Sequence, residues 1–86
     1  MSSDEDQRMP DLSPPVGRAL KVAREKLGLS QDALADLAGV SRSHYGRVER
    51  GEVSPTLETI SALSQALARP LSQLIAQAED MEDRSG

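Results

Sequence analysis

Cysteine, tryptophan and phenylalanine are absent from this chain, and Tyr45 is its only aromatic residue. The lack of cysteine excludes disulfide bonds, thiolate zinc ligands and a thiol nucleophile. Without aromatic rings, a core has to be built from leucine, isoleucine, valine and alanine, which favours packed helices over a β-sandwich. A length of 86 residues suits one small domain. We therefore predict a single all-α domain.

Signal-peptide and membrane-span patterns are also absent. The first eight residues, MSSDEDQR, are acidic and polar, whereas a secretory signal starts with basic residues followed by an apolar stretch. No apolar run approaches the roughly 20 residues that a membrane helix needs. These absences, together with the lack of cysteine, predict a cytoplasmic protein that does not associate with membranes.

The net charge of −4 is unevenly distributed. Residues 1–15 and residues 79–86 each carry four acidic residues and one arginine, so each end contributes −3 and residues 16–78 carry +2. Residues 41–50 contain three arginines and one glutamate. Because phosphate binding depends on local positive charge, the acidic pI of about 4.8 does not exclude nucleic acid as a partner.

Apolar residues recur at three- and four-residue spacing in five segments, which predicts five short helices. The predicted domains are a disordered acidic arm at residues 1–15, which contains three prolines, a helical domain at residues 16–78 and an acidic tail at residues 79–86.

The pair Ser54 and Pro55 is predicted to start the fourth helix. Serines suit the N-caps of the second and third helices, and glycines suit the ends of the first three: Ser30, Ser41, Gly28, Gly39 and Gly51. The inward stripes predicted for the second and fourth helices are Leu34, Ala35, Leu37 and Ala38, and Leu57, Ile60, Leu63 and Leu67.

The most informative stretch is QDALADLAGVSRSHYGRVER, residues 31–50, in which a Gly-Val-Ser turn separates two short helices. So short a turn makes the helices cross closely, which requires a small residue at Ala35 and a positive φ at Gly39. At about 100° per residue, Ser41, Tyr45 and Val48 share one face of the third helix, and Tyr45 and Val48 are its predicted inward positions. The outward face is small and basic and suits the major groove of DNA, where arginine can donate two hydrogen bonds to guanine: Ser43, Gly46, Arg47 and Arg50.

This stretch resembles the helix-turn-helix of the Cro and phage-repressor family, also called the xenobiotic-response-element family. The similarity covers roughly residues 16–78, and its motifs GLSQ, AGVS, VERG and SPTLETI occur in the order and spacing of the family. The resemblance implies a five-helix, lambda-repressor-like DNA-binding domain that regulates transcription. One short helix reads few bases, so we predict a homodimer on an inverted-repeat operator. Its pairing surface is expected among Leu71, Leu74, Ile75 and Ala78.

The resemblance also implies roles for individual residues. Arg42, Ser43 and Arg47 match base-reading positions of the family. Phosphate contacts are expected from Gln31, Ser41 and Arg50, and a structural ion pair from Arg24 and Glu49. Two departures from the family pattern are Gly46 in the reading helix and the Ala-Arg-Pro turn at residues 68–70.

Neither an enzyme nor a site for a metal, cofactor or small molecule is predicted. His44 is the only histidine and is expected at the surface, and the pair Asp32 and Asp36 has the spacing of a solvated helix face. One alternative to a DNA-binding regulator stays open: a helical protein-interaction module, antitoxin-like or an anti-regulator, that has lost DNA binding. The negative net charge and Gly46 are compatible with that alternative.

Overall fold

The computed structural model describes residues 11–70, 72–74, 76–77 and 79–80. Its helices are α1 Ser13–Lys26, α2 Gln31–Ala38, α3 Arg42–Glu49 and α4 Leu57–Ala66, and residues 72–74, 76–77 and 79–80 form a fifth helical segment. Within these ranges no helix is long and apolar enough to cross a membrane, and no cluster of His, Cys, Asp and Glu residues could hold a metal ion. The five-helix, all-α fold predicted from the sequence is confirmed.

Helix α1 begins at Ser13, three residues before the predicted start of the folded domain. Prolines occupy its first turn, where a missing backbone N–H breaks no intrahelical hydrogen bond. Ser13 and Pro15 are buried, and the Ser13 hydroxyl donates a 3.0 Å hydrogen bond to the Ser54 hydroxyl. Residues 13–15 therefore pack with the helices instead of belonging to the predicted arm. Residues 1–10 of that arm lie outside the described residues.

The predicted caps of α2 and α3 are confirmed. Ser30 Oγ accepts a hydrogen bond from the Ala33 N–H at 3.0 Å, and Ser41 Oγ accepts one from the His44 N–H at 3.2 Å. Gly39 ends α2 with a φ of 71°, a conformation that glycine adopts without steric cost. These local interactions fix the length of the turn between α2 and α3.

The predicted start of α4 is wrong. The N-cap is Thr56, whose side-chain oxygen accepts a hydrogen bond from the Thr59 N–H at 3.1 Å, and Pro55 precedes the cap. Ser54 does not cap the helix, and its hydroxyl oxygen accepts a 3.0 Å hydrogen bond from the Ser13 hydroxyl. The helix therefore begins two residues later than a cap at Ser54 would place it.

Two leucines predicted to face the core are exposed. Leu57 is 73% exposed because it is the first residue of α4 and lies beyond the packed part of that helix. Leu37 is 64% exposed, since the short helix α2 packs through the narrow stripe of Leu34 and Ala35. The remaining core is aliphatic and surrounds one ring: Leu20, Ala23, Leu34, Ala35, Tyr45, Val48, Leu63, Leu67 and Leu74.

Leu74 is part of this core and is only 2% exposed. Its side chain fills the domain interior and is unavailable for the apolar pairing surface predicted for it. The other residues of that predicted surface lie outside the described residues: Leu71, Ile75 and Ala78. A dimer would therefore have to use a surface other than Leu74.

Helix α1 crosses α3 at Gly17, and this crossing fixes the position of α3. A Cβ atom built on Gly17 would lie 2.7 Å from the Val48 carbonyl oxygen and still closer to that of Glu49. Only a residue without a side chain allows the two backbones to approach this closely. The sequence pattern gave no indication of this contact, because it depends on the relative position of two separate helices.

Candidate nucleic-acid interface

The inward side of α3 is held by a hydrogen-bonded network centred on Glu49. Arg24 on α1 donates two hydrogen bonds to this carboxylate, from Nε to Oε2 at 2.8 Å and from Nη2 to Oε1 at 2.9 Å. Tyr45 donates its hydroxyl proton to Oε2, and Gln31 Nε2 donates to Oε1 at 2.9 Å. The structure thus brings together Arg24 and Glu49, and it adds two donors that sequence reasoning did not assign to the pair.

The network is buried and charged. The side chains of Arg24 and Glu49 are 11% and 3% exposed. Burial raises the pKa of Glu49, but the hydrogen bonds from Arg24, Tyr45 and Gln31 outweigh it, so this pKa lies below its ordinary value. Burial, reinforced by the hydrogen bond to Glu49, raises the pKa of Tyr45. One ionised carboxylate therefore links α3 to both α1 and α2 at neutral pH.

The outward side of α3 carries most of the residues predicted to contact DNA. Five of the six have exposed side chains and lie within α3 or at its two caps: Ser41, Arg42, Ser43, Arg47 and Arg50. The sixth, Gln31, is half-buried because its amide donates to Glu49. The opposite sides of α3 thus differ sharply, with Tyr45 and Val48 fully buried.

Arg42 contacts carboxylates on α2. Its Nε and Nη2 donate to the two carboxylate oxygens of Asp36 at 3.1 and 2.8 Å, and its Nη1 lies 3.6 Å from Asp32 Oδ2. The hydrogen bond from Arg42 lowers the pKa of Asp36, so this carboxylate is charged at neutral pH. Asp32 and Asp36 are exposed, as predicted for a solvated face, and both also contact Arg42.

Glu52, just after α3, contacts the other two arginines predicted to bind DNA, Arg47 and Arg50. Its Oε2 accepts a hydrogen bond from Arg50 Nε at 2.8 Å, and its Oε1 lies 3.8 Å from Arg47 Nε. The hydrogen bond from Arg50 lowers the pKa of Glu52. Sequence reasoning missed Glu52, although the alternating charges of RVERGE, residues 47–52, could have indicated it.

Gly46 is covered by side chains, which corrects the prediction that it lies on the open outward face. It is buried, and a Cβ atom built on it would lie 3.1 Å from Arg50 Nη1 and 3.7 Å from Gln31 Oε1. The guanidinium of Arg50 lies next to the position that a side chain at residue 46 would take.

Comparison with known proteins places this arrangement in a family context. A family model described as helix-turn-helix matches residues 20–74, more than half of the chain. An uncharacterised HTH-type transcriptional regulator from Haemophilus influenzae is 34% identical over 70 residues, which are 81% of this chain and 71% of that protein. The immunity repressor protein of Bacillus phage phi105 is 34% identical over 62 residues. That match spans 72% of this chain but only 43% of the repressor.

A solved structure shows the same fold over nearly all of its chain. The restriction-modification controller protein C.AhdI from Aeromonas hydrophila superposes with a TM-score of 0.70 at 41% sequence identity. The superposition covers 74% of this chain and 96% of C.AhdI. The similarity thus includes nearly all of that chain.

Proposed function

The chain belongs to the helix-turn-helix family of DNA-binding transcriptional regulators, and we propose from this premise that it recognises an operator with α3 in the major groove. The observation that carries the proposal is the contrast between the two sides of α3. Ser43 and Arg47 are exposed one turn apart, while Tyr45 and Val48 are fixed in the core behind them. A helix anchored in this way enters a groove without rearranging the domain.

We assign base readout to Arg42, Ser43 and Arg47, with Arg47 as the principal reader. Arg47 Nε lies 3.8 Å from the Glu52 carboxylate, whereas Arg42 has a contact of 2.8 Å with Asp36. The guanidinium of Arg47 is therefore the less restrained of the two and more readily donates two hydrogen bonds to a guanine. Arg42 has to break its hydrogen bonds to Asp36 before its guanidinium can donate to a guanine.

Gln31, Ser41 and Arg50 are assigned to the phosphate backbone. Ser41 Oγ accepts the capping hydrogen bond from His44, so its own hydroxyl proton remains for a phosphate oxygen. Gln31 Nε2 carries two protons and donates one to Glu49, which leaves the other available. Gln31 is also the first residue of α2, where free backbone N–H groups favour an anion.

The assignments are tested by selecting bound sequences from random duplexes and then measuring the affinities of two variants. Arg47→Ala should lose about 1 to 3 kcal/mol on the selected sequence and relax the preference at one base pair. Arg50→Ala should weaken binding to all sequences similarly and flatten the salt dependence by about one charge. Arg18→Ala, which removes an exposed arginine from α1, is the charge-matched control.

Equal losses for Arg47→Ala and Arg50→Ala, with unchanged base preference, would contradict the assignment of Arg47. If selection recovered no consensus and the wild-type protein bound no duplex, the protein-interaction alternative would be supported instead.

We further propose that the protein acts as a homodimer on an inverted repeat. The eight-residue helix α3 can place only three or four side chains against base edges, which gives a monomer little specificity. A two-fold dimer places two such helices about 34 Å apart, one turn of DNA. Sedimentation should show a dimer in the presence of the selected duplex. Only monomer, both free and at saturating duplex, would exclude this proposal.

A further inference from the structure

The surface proposed to contact DNA carries as many negative as positive charges in its ion pairs. Arg42, Arg47 and Arg50 each lie within 4.0 Å of a carboxylate oxygen. Those carboxylates belong to Asp32, Asp36 and Glu52. Sequence-independent affinity for DNA comes from arginine and lysine neutralising phosphates. The pairing therefore works against binding to arbitrary DNA.

Folding stability alone does not account for these pairs. Their side chains are between 48% and 62% exposed, and ion pairs that are this accessible to water contribute little to stability. The pairing is nevertheless geometrically specific, since Arg42 contacts both oxygens of Asp36 and Arg50 contacts Glu52 through Nε at 2.8 Å. Both carboxylates thus occupy the sites on the guanidinium groups that a phosphate or a guanine would use.

Resting on the proposed function, we propose that Asp36 and Glu52 restrain nonspecific DNA binding by competing with phosphates for arginines of the binding surface. Each carboxylate holds an arginine of the binding surface, and the phosphates of any duplex must displace it. Glu52 acts on Arg47 and Arg50 together, and Asp36 acts on Arg42.

This restraint weakens nonspecific binding to DNA more than it weakens binding to the operator. Nonspecific binding depends almost entirely on electrostatics, so the lost positive charge removes a large share of its free energy. The operator complex adds hydrogen bonds to base edges, which the net charge of the surface does not set. Weak binding to arbitrary sequences leaves more protein free for the operator, because a genome offers a great excess of competing sites.

The test compares Asp36→Asn, Glu52→Gln and the double variant with the wild-type protein by fluorescence anisotropy. The probes are labelled duplexes of about 20 base pairs, one with the selected sequence and one with that sequence scrambled, titrated at several salt concentrations. Glu79→Gln removes one negative charge from the C-terminal helical segment and is the matched control.

Each single variant should raise the association constant for the scrambled duplex about two- to fivefold, and the double variant about tenfold. The plot of log K against log salt should steepen by up to about one charge per substitution, an effect that a purely structural role would not produce. Glu79→Gln should change neither quantity, and the melting temperatures of all variants should stay close to that of the wild type.

Unchanged affinity and unchanged salt dependence for the scrambled duplex would overturn the inference. So would a loss of affinity confined to the selected duplex, because that result would mean that the carboxylates orient the arginines for base readout. In both cases the wild-type protein still selects a consensus, and the proposed function stands. A wild-type protein that binds neither duplex would overturn the proposed function and this inference together.

Discussion

Replacing Arg24 with methionine removes the cation that faces Glu49 and leaves a carboxylate that is 3% exposed. Methionine retains much of the apolar stem of arginine, so the change removes mainly charge and hydrogen bonds. Glu49 keeps its hydrogen bonds from Tyr45 and Gln31, which are half of its four side-chain donors. Removing one partner of a buried ion pair costs about 3 to 5 kcal/mol. Because two donors remain, we expect the lower end, a loss of about 3 kcal/mol in the free energy of unfolding.

Urea unfolding followed by circular dichroism measures this loss directly. In a domain of this size 1 kcal/mol corresponds to about 4 to 8 °C, so the Tm should fall by about 12 to 24 °C. The double variant Arg24→Met/Glu49→Gln is the control, since it leaves no unpaired buried charge and keeps an acceptor for Tyr45. It should be more stable than Arg24→Met by at least about 1 kcal/mol.

The pH dependence provides a second test with a definite sign. In the wild-type protein the pKa of Glu49 is below its unfolded value, so its contribution to stability is present above about pH 4.3 and is lost as the pH falls through the folded pKa. In Arg24→Met burial is no longer outweighed, the folded pKa rises, and protonation relieves the penalty. The stability difference between the two proteins should therefore shrink from about pH 7 to about pH 4. A loss below about 1 kcal/mol, or a difference independent of pH, would refute this account of the network.

Two glycine substitutions should have opposite effects on stability, measured by the same unfolding assay. Gly17→Ala should cost at least about 2 kcal/mol, because the added Cβ meets rigid backbone carbonyls of α3; a neutral result would contradict the close crossing of α1 and α3. Gly46→Ala should stabilise the protein by up to about 1 kcal/mol, since alanine favours the helix and the one tight contact of the Cβ is with the flexible end of Arg50. Destabilisation by Gly46→Ala would show that the Arg50 side chain cannot move from its position over α3.

Features that depend on a few neighbouring residues could be predicted from the sequence. The N-caps Ser30 and Ser41 each need only a backbone N–H three residues ahead, and Gly39 needs only its own positive φ. The start of α4 could not be predicted in the same way. Ser54 and Thr56 are both residue types that cap helices, and the contact that Ser54 makes instead is with Ser13, 41 positions earlier in the chain.

In the candidate site, too, the features set within one helix could be predicted and those set by contacts between segments could not. The residue types exposed on α3 follow from helical periodicity, and the resemblance to a known family supplied the pairing of Arg24 with Glu49. The contact between Asp36 and Arg42 depends on how α2 and α3 are oriented, and the approach of Glu52 to Arg47 depends on how the chain turns after α3. Sequence periodicity within one helix carries neither kind of information.

Arginine and carboxylate meet in similar geometry inside the domain and on its proposed binding surface, yet the ion pairs in these two environments have different consequences. Arg24 and Glu49 are 11% and 3% exposed, so neither ions nor phosphates can reach them and the pair stays intact. Arg42 and Asp36 are 60% and 56% exposed, and salt and phosphate oxygens compete for the same donors. The buried pair therefore fixes where α3 lies, whereas the exposed pairs can exchange their carboxylates for DNA. Burial, more than the contact distance of 2.8 Å that both pairs share, decides which arginines are available to a nucleic acid.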